Sequence, residues 1–395
     1  MFSSSRRLMV LSATVIFLYG TIASLLGTLL PTFSARFHLS PEQNGYIASL
    51  QALGLMLATL VAGPLMDSKG IKTALCGGLA LMLVALLSLL GAAGWGTLAL
   101  AIFALGLGSG TVVAASNNLA SQVDEKRRAS MVNFANLFFG LGGLATPFIA
   151  ANLLAGNPMR LAYLVAALSV CVLVMAVSTS IPRPSAESGF HLKDLVTIER
   201  KPLLLLLCLT VFLYVGCEVG FWNWLPKYLM SRGSDSRTAL NILGLGFACG
   251  IIAGRLLAMQ ILRRISAATV CVTAGAAMLI ATYVTVHVSD PTLAAVAVFC
   301  SGMAMGPLFP SAIGITGDAF PRMTGTCIAL VITSGWFGAA VSSWVIGRIA
   351  GSDPSRLPHA LMVIPLSAAV IALLSVGISR MMPKSRVAAV EPIAL

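Results

Sequence analysis

Charged residues are scarce in this 395-residue sequence: they make up 10% of it, and only 13 positions are Asp or Glu. Hydrophobic residues account for 58%, and the mean hydropathy is +0.94. Soluble domains carry about 25% charged residues. This composition therefore leaves no room for a soluble domain and indicates a membrane protein.

Motifs for several chemistries are also missing. The sequence has no Walker loop, no nucleophile elbow and no cluster with metal-ligand spacing, and its glycine-rich stretches lie inside apolar segments, where they favour close helix packing. The eight cysteines have no CxxC spacing and are expected to be small buried side chains. We therefore expect no enzyme activity, no cofactor and no bound metal.

Long apolar windows define the fold class. A spanning helix needs about 20 apolar residues, and such windows recur along the whole chain with short polar interruptions. They predict an all-α membrane protein with twelve transmembrane helices. The longest connection, residues 182–202, is interpreted as a cytoplasmic linker between an N-terminal six-helix half (1–181) and a C-terminal six-helix half (203–395).

Basic residues set the orientation. With the N-terminus inside, 18 of the 25 Lys and Arg residues fall on the cytoplasmic side, counting Arg255, which we place in the last turn of span eight. The positive-inside rule then predicts a multi-pass protein of the cell inner membrane with both termini cytoplasmic. Because these charges are dispersed over many short loops, the lipid bilayer is the expected environment and nucleic acid is not an expected partner.

An internal repeat relates the two halves. FLYG at residues 17–20 corresponds to FLYVG at 212–216 with an offset of 195. At an offset of 196, Phe103, Gly106, Gly110 and Gly142 recur as Phe299, Gly302, Gly306 and Gly338. Two parallel six-span repeats are typical of a rocking transporter whose site lies between the halves.

A loop between spans two and three carries a family signature. It reads Gly63-Pro64-Leu65-Met66-Asp67-Ser68-Lys69-Gly70-Ile71-Lys72 and resembles the major facilitator superfamily pattern Gly-x-Leu-x-Asp-x-x-Gly-x-basic. Glycines let helices approach, and a carboxylate there can pair with a helix N-terminus or a basic residue in one conformational state. We expect a conformational latch built from Gly63, Asp67, Lys69, Gly70 and Lys72; the alternative is an ordinary polar turn.

Within the superfamily, the chain resembles the fucose, galactose and glucose symporter branch. The resemblance rests on residues 212–218 with 224–226, on 133–142 and on 306–311. It implies sugar symport, and it places Asn133 and Asn136 where that branch has amides of the sugar site. The membrane carboxylates of the fucose symporter pattern correspond here to Gly27 and Thr111, so its coupling scheme does not transfer.

Glu218 is the one acidic residue predicted deep inside a span. A buried carboxylate costs several kcal/mol unless it is protonated, paired or solvated by a cavity. Glu218 is therefore a candidate proton carrier, or a ligand for Na+ if that is the coupling ion. The alternative is a structural hydrogen-bond anchor.

Candidate solute-binding residues are aromatic or amide side chains at membrane depth. Tyr214, Glu218 and Phe221 share one helix face, which we expect to line the central cavity. For the amides, helix–helix hydrogen bonding is an equal alternative to solute binding. The complete predicted set is Gln51, Asn118, Asn133, Asn136, Tyr214, Phe221, Trp222 and Trp336.

These features predict a monomeric secondary active transporter of a small polar solute, a sugar or related compound, working by alternating access with H+ or Na+. One alternative is an exporter of amphiphilic compounds, because the lining is apolar. Another is a membrane sensor that does not transport, against which the intact Asp67 loop argues.

Overall fold

The computed structural model describes residues 2–124, 128–154, 157, 159–181, 201–262, 264–288, 290–321 and 323–382. In these ranges all regular structure is helical, and twelve helices are long and apolar enough to cross a membrane, as predicted. The predicted linker, apart from its last two residues at the start of a helix, lies outside the described residues.

Six spans form each half. The first half contains α1 (Phe2–Phe37), α2 (Pro41–Lys69), α3 (Ile71–Leu90), α4 (Trp95–Ser121), α5 (Arg128–Asn152) and α6 (Arg160–Ser178). The second contains α7 (Lys201–Ser231), α8 (Ser236–Ile261), α9 (Ala267–His287), α10 (Pro291–Ala319), α11 (Thr324–Ala350) and α12 (Pro354–Met381). Span α8 includes a π-helical segment, Ile242–Ala248, and α10 is interrupted at Gly306 and Pro307.

Each half has its own apolar core. One large cluster of buried side chains comes almost wholly from α1–α6 and the other almost wholly from α7–α12. Each half therefore has a core of its own, although the halves also pack on each other, most extensively through α2 and α11.

The internal repeat is also visible in the packing. Gly142 of α5 lies against α1 so closely that an added Cβ would overlap the Phe17 carbonyl oxygen, and Gly338 of α11 lies in the same way against Phe212 of α7. The same relation joins Gly106 to the Gln51 carbonyl and Gly302 to the Phe247 carbonyl. Only glycine permits these close backbone crossings, so the glycine repeat follows from repeated helix packing.

The two ends of the bundle differ in how the halves meet. We call the end that carries Lys69 and Lys201 the basic end, and the opposite one the far end. Several hydrogen bonds between described residues of the two halves lie in the far part of the bundle. The pairs are Glu42 with Arg348 and Gly351, Ser49 with Ala340, Ser34 with Lys227, and Asn152 with Asn241 and Arg237. The structure is therefore closed between the halves at the far end.

Candidate solute site between the two halves

A buried carboxylate lies near the middle of α7. Glu218 is 9% exposed, and Tyr214, one turn earlier, is 1% exposed. Within the described part of the chain, no Lys or Arg nitrogen lies within 4.0 Å of the Glu218 carboxylate. A carboxylate at membrane depth without an ion pair is stabilised by protonation or by polar contacts in a cavity.

Arg255 joins this cluster from α8. The Tyr214 side chain interacts with both the Glu218 carboxylate and the Arg255 guanidinium. Its hydroxyl nevertheless forms no hydrogen bond of normal geometry, and the buried Arg255 Nε is also unpaired. The phenol and the guanidinium thus keep hydrogen-bonding capacity that the protein does not use.

The position of Arg255 corrects the sequence interpretation. We expected it in the last turn of its span, as one of the charges that set the topology. Span α8 ends at Ile261, so Arg255 lies more than one turn before the end and its side chain lies near Tyr214. Sequence reasoning missed it as a site residue.

A second tyrosine approaches Glu218 from the first half. Tyr19 on α1 is 6% exposed, packs against Phe139 with ring centroids 5.2 Å apart, and interacts electrostatically with the Glu218 carboxylate. Tyr19 and Tyr214 are related by the 195-residue offset of the repeat. Sequence reasoning did not select Tyr19, although the FLYG and FLYVG match contained the signal.

Two aromatic residues of α7 have different roles. Phe221 is fully buried and packs on Phe247 at 5.2 Å, so it belongs to the core of the second half and does not line a cavity as expected. Trp222 contacts Phe247 edge-on at 5.1 Å, and the tip of its ring lies 3.1 Å from the place a Cβ would take at Gly143 on α5. Trp222 therefore spans the boundary between the halves, and its indole N–H has no partner.

Helices α1 and α7 cross beside Trp222. A Cβ added at Gly27 would overlap the Trp222 carbonyl oxygen. Gly27 and Trp222 are themselves related by the 195-residue offset, so this contact lies on the axis that relates the halves. An acidic side chain at position 27, as in the fucose symporter pattern, would clash in this closed arrangement.

The amides of the first half have protein partners. Asn136 Nδ2 donates to Asn117 Oδ1 (2.9 Å) and to the Val132 carbonyl (2.8 Å). Gln122 Nε2 donates to Asn118 Oδ1 (2.9 Å) near the basic end of α4. The side chain of Asn133 lies outside the described residues. For Asn136 the geometry favours hydrogen bonding between α5 and α4, whereas Asn118 is paired at the end of its own helix.

Two further candidates complete the predicted set. Gln51 is 6% exposed on α2, and its side chain forms no hydrogen bond to described protein groups. Trp336 is half-buried on α11 and packs against the core of the second half. The Gln51 amide is therefore not hydrogen-bonded by described protein groups, whereas Trp336 packs against the core of the second half.

The predicted latch loop joins α2 to α3. Gly70 ends α2 with φ +87°, a backbone conformation that favours glycine. Lys72 Nζ donates to the Val177 (2.6 Å) and Thr179 (3.0 Å) carbonyls at the end of α6, where a cation also interacts favourably with the helix dipole. Lys72 therefore ties α3 to α6 within the first half.

The other latch residues are less engaged. Lys69 is exposed, and the Asp67 side chain lies outside the described residues. Nothing lies within 4 Å of a Cβ added at Gly63. The close helix approach expected at Gly63 is therefore absent in this arrangement, in which the far end is closed.

Two named proteins are similar in sequence to more than half of this chain. The glucose/mannose transporter GlcP of Bacillus subtilis (strain 168) is 23% identical over 376 residues, which is 92% of this chain and 91% of that protein. A TsgA homolog of Erwinia tasmaniensis is 27% identical over 234 residues, 58% of each chain.

Solved structures share the fold. A D-xylose-proton symporter superposes with a TM-score of 0.80 at 11% identity, covering 98% of this chain and 100% of that one. The fucose:proton symporter FucP of E. coli gives a TM-score of 0.66 at 18% identity, covering 95% and 99%. At these identities the likeness concerns the fold alone.

The sequence model of the Major Facilitator Superfamily matches residues 12–343, which is most of the chain. Together with the twelve-helix fold and the relatives above, this match identifies a membrane transporter of small solutes and not an enzyme. The chain belongs to the Major Facilitator Superfamily.

Proposed function

We propose that this protein is a secondary active transporter that carries a sugar or related polar solute in symport with H+. The observation that carries the proposal is Glu218, a buried acid of α7 that forms no ion pair with a described Lys or Arg. A carboxyl group at membrane depth has to be protonated, paired or solvated by a cavity, so a site that opens to water and closes again can exchange a proton at this position. A group whose protonation follows the opening of the site can couple proton movement to solute movement.

Hydrogen-bond donors on α7 suit a polyhydroxylated solute. The Tyr214 hydroxyl, Trp222 Nε1 and Asn223 Nδ2 are buried and unpaired. Sugar hydroxyl oxygens can accept from all three kinds of donor. The names of GlcP and of the xylose and fucose symporters, which specify sugars for those proteins, agree with this choice.

Alternating access explains the asymmetry of the bundle ends. Under the positive-inside rule we take the basic end as cytoplasmic. Both termini then lie in the cytoplasm, and the protein spans the inner membrane of the cell. The far end is then closed to the outside in this state. The transition to the opposite state breaks the far-end contacts and brings the basic ends together, where Asp67 can act as the latch.

An acidic sugar is a second candidate solute, favoured by Arg255. Arg255 and Lys227 are cations more than three residues from the ends of α8 and α7, and Glu218 is the only described acid near the middle of a span. Lys227 donates to Ser34 (3.1 Å), whereas Arg255 Nε has no partner. A solute carboxylate can pair with a guanidinium in bidentate geometry.

Uptake into proteoliposomes tests both candidates. We expect labelled hexoses to accumulate when a pH gradient is imposed and not when a Na+ gradient is imposed. Accumulation of hexuronates that hexoses do not inhibit would select the acidic-sugar alternative. Extrusion of hydrophobic cations without any sugar transport would contradict the proposal and select the exporter of amphiphilic compounds.

A further inference from the structure

A basic cleft lies between α1 and α6 at the basic end of the first half. Its volume is about 550 Å³. The polar lining consists of Arg6 and Arg7 from α1 and of Ser178, Thr179 and Ser180 from the end of α6. All of its described lining residues belong to the first half, so the cleft is separate from the solute site between the halves.

The charges around the cleft favour an anion. Arg6 and Arg7 are exposed and form no ion pair with a described acidic residue, and the described lining of the cleft contains no acidic side chain. The two arginines lie in the first turns of α1, whose N-terminus adds partial positive charge. Arginine pairs well with phosphate oxygens in bidentate geometry.

The end of α6 would repel an anion if its carbonyls were free. Lys72 Nζ removes much of this repulsion because it binds the Val177 and Thr179 carbonyls at 2.6 and 3.0 Å. The Ser178 and Thr179 hydroxyls donate to the Met175 carbonyl, so the arginines are the charged lining donors left for an anion. Lys72 thus adds a third cation beside the two arginines.

Apolar side chains flank the same cleft on the membrane side. Val10 lines it and is 52% exposed, and on α6 Val174 and Val177 are 62% and 57% exposed. A free phosphate gains nothing from such a surface, whereas acyl chains bury it. Basic pockets between helices at the level of the headgroups are suited to anionic lipids.

We propose that this cleft binds the phosphate headgroup of an anionic phospholipid, with Arg6 and Arg7 as its ligands and the acyl chains along Val10 and α6. The lipid bridges α1 and α6 and stabilises the first half. The site does not depend on which solute the transporter carries.

Lipid titration of the purified protein in detergent tests the proposal. The probes are phosphatidylglycerol, phosphatidylcholine and inorganic phosphate, and the readouts are the melting temperature and the number of bound lipids by native mass spectrometry. We expect phosphatidylglycerol to raise the melting temperature and to be retained, phosphatidylcholine to do less, and phosphate alone to have no comparable effect.

Matched variants localise the effect. Arg6→Gln with Arg7→Gln should weaken phosphatidylglycerol binding at least about fivefold. Arg380→Gln, which removes an exposed arginine at the basic end of α12 outside the cleft, should not. The single variant Arg6→Gln serves if the double variant folds poorly, and should give an intermediate loss.

Three outcomes would overturn the proposal. Equal binding by the parent and the Arg6 and Arg7 variants would remove the cleft as the site. Equal losses in the Arg380 variant would indicate nonspecific attraction. Full stabilisation by inorganic phosphate would indicate a site for free anions.

Discussion

The two halves share their backbone packing but differ in how their polar side chains are paired. Gly142 packs on Phe17 in the first half as Gly338 packs on Phe212 in the second. In the first half, polar groups at membrane depth meet each other, as in the Asn136–Asn117 hydrogen bond and the Ser12–Ser116 hydrogen bond (Oγ to Oγ, 3.0 Å).

In the second half, Thr285 and Ser301 also pair (Oγ1 to Oγ, 3.1 Å), but other buried groups remain unpaired. Tyr214, Trp222, Asn223 and Arg255 each have a buried polar atom without a partner among the described residues. The repeat thus preserves the glycines that helix crossing requires, while most side chains that we propose for solute and proton binding belong to the second half. The first half supplies mainly Tyr19 to this site.

We expect the largest effect on the conformational equilibrium from a substitution at Gly27, where α1 and α7 cross. In Gly27→Leu the side chain overlaps the α7 backbone at Trp222, so the far end cannot close. Overpacking costs about 1–3 kcal/mol even where neighbours adjust, which corresponds to a shift of roughly five- to hundredfold in population toward the far-end-open state. Electron paramagnetic resonance distances between labels on α1 and α7 at the far end measure this shift.

Gly77→Leu is the control, because nothing lies within 4 Å of a Cβ at Gly77. Its far-end distances should match those of the parent. A closed far end in Gly27→Leu would contradict the assigned role of the α1–α7 crossing.

Tyr19 and Tyr214, which are related by the repeat, allow a direct comparison of what each half contributes to solute binding. Tyr214→Phe should weaken solute binding by about 1 kcal/mol, since it removes an unpaired donor beside Glu218 and Arg255. Tyr19→Phe should have a smaller effect, because Tyr19 is anchored mainly by its ring contact with Phe139. Isothermal titration of both variants against the transported solute measures the difference, and equal losses would show that both halves contribute equally.

Asn136→Ala tests whether the first-half amides are structural. Hydrogen bonds between membrane helices average about 0.6 kcal/mol, so we expect a small loss of thermal stability with unchanged solute affinity. Asn157→Ala, at an exposed loop position, should change neither. Weaker solute binding with unchanged stability would instead place Asn136 in the solute site, as the family resemblance implies.

The smallest effect is expected at the far-end ion pair between Glu42 and Arg348. Their side chains are 29% and 63% exposed, so water and salt screen the attraction. Glu42→Gln should shift the far-end-open population by less than about fivefold, and 1 M salt should abolish the difference. If adding Arg348→Gln to Glu42→Gln opens the far end further, Arg348 acts through another partner.

Much of the fold was predictable because its signals are local. Hydropathy gives the twelve spans, and the offsets of 195 and 196 give the two halves. The repeat also implied that Tyr19 and Tyr214 are equivalent, whereas the contact of Gly27 with α7 at Trp222 is seen only in the structure.

The site was predictable only in part. Glu218 stands out because an acid is rare in an apolar run. Arg255 does not, because a cation close to the end of a span resembles a topology signal, and only the packing of α8 on α7 places it beside Tyr214. The Asn117–Asn136 pairing depends on the relative rotation of α4 and α5, which a single sequence does not encode in any readable pattern.

The most direct measurement compares exchange with accumulation in the Glu218→Gln variant, which mimics the protonated acid. If Glu218 couples proton and solute, labelled solute should still exchange with unlabelled solute across proteoliposome membranes. Accumulation driven by a pH gradient should be lost, and solute binding should no longer depend on pH, because linkage requires each ligand to affect the other equally. A variant that still concentrates solute with the pH dependence of the parent would contradict coupling through Glu218.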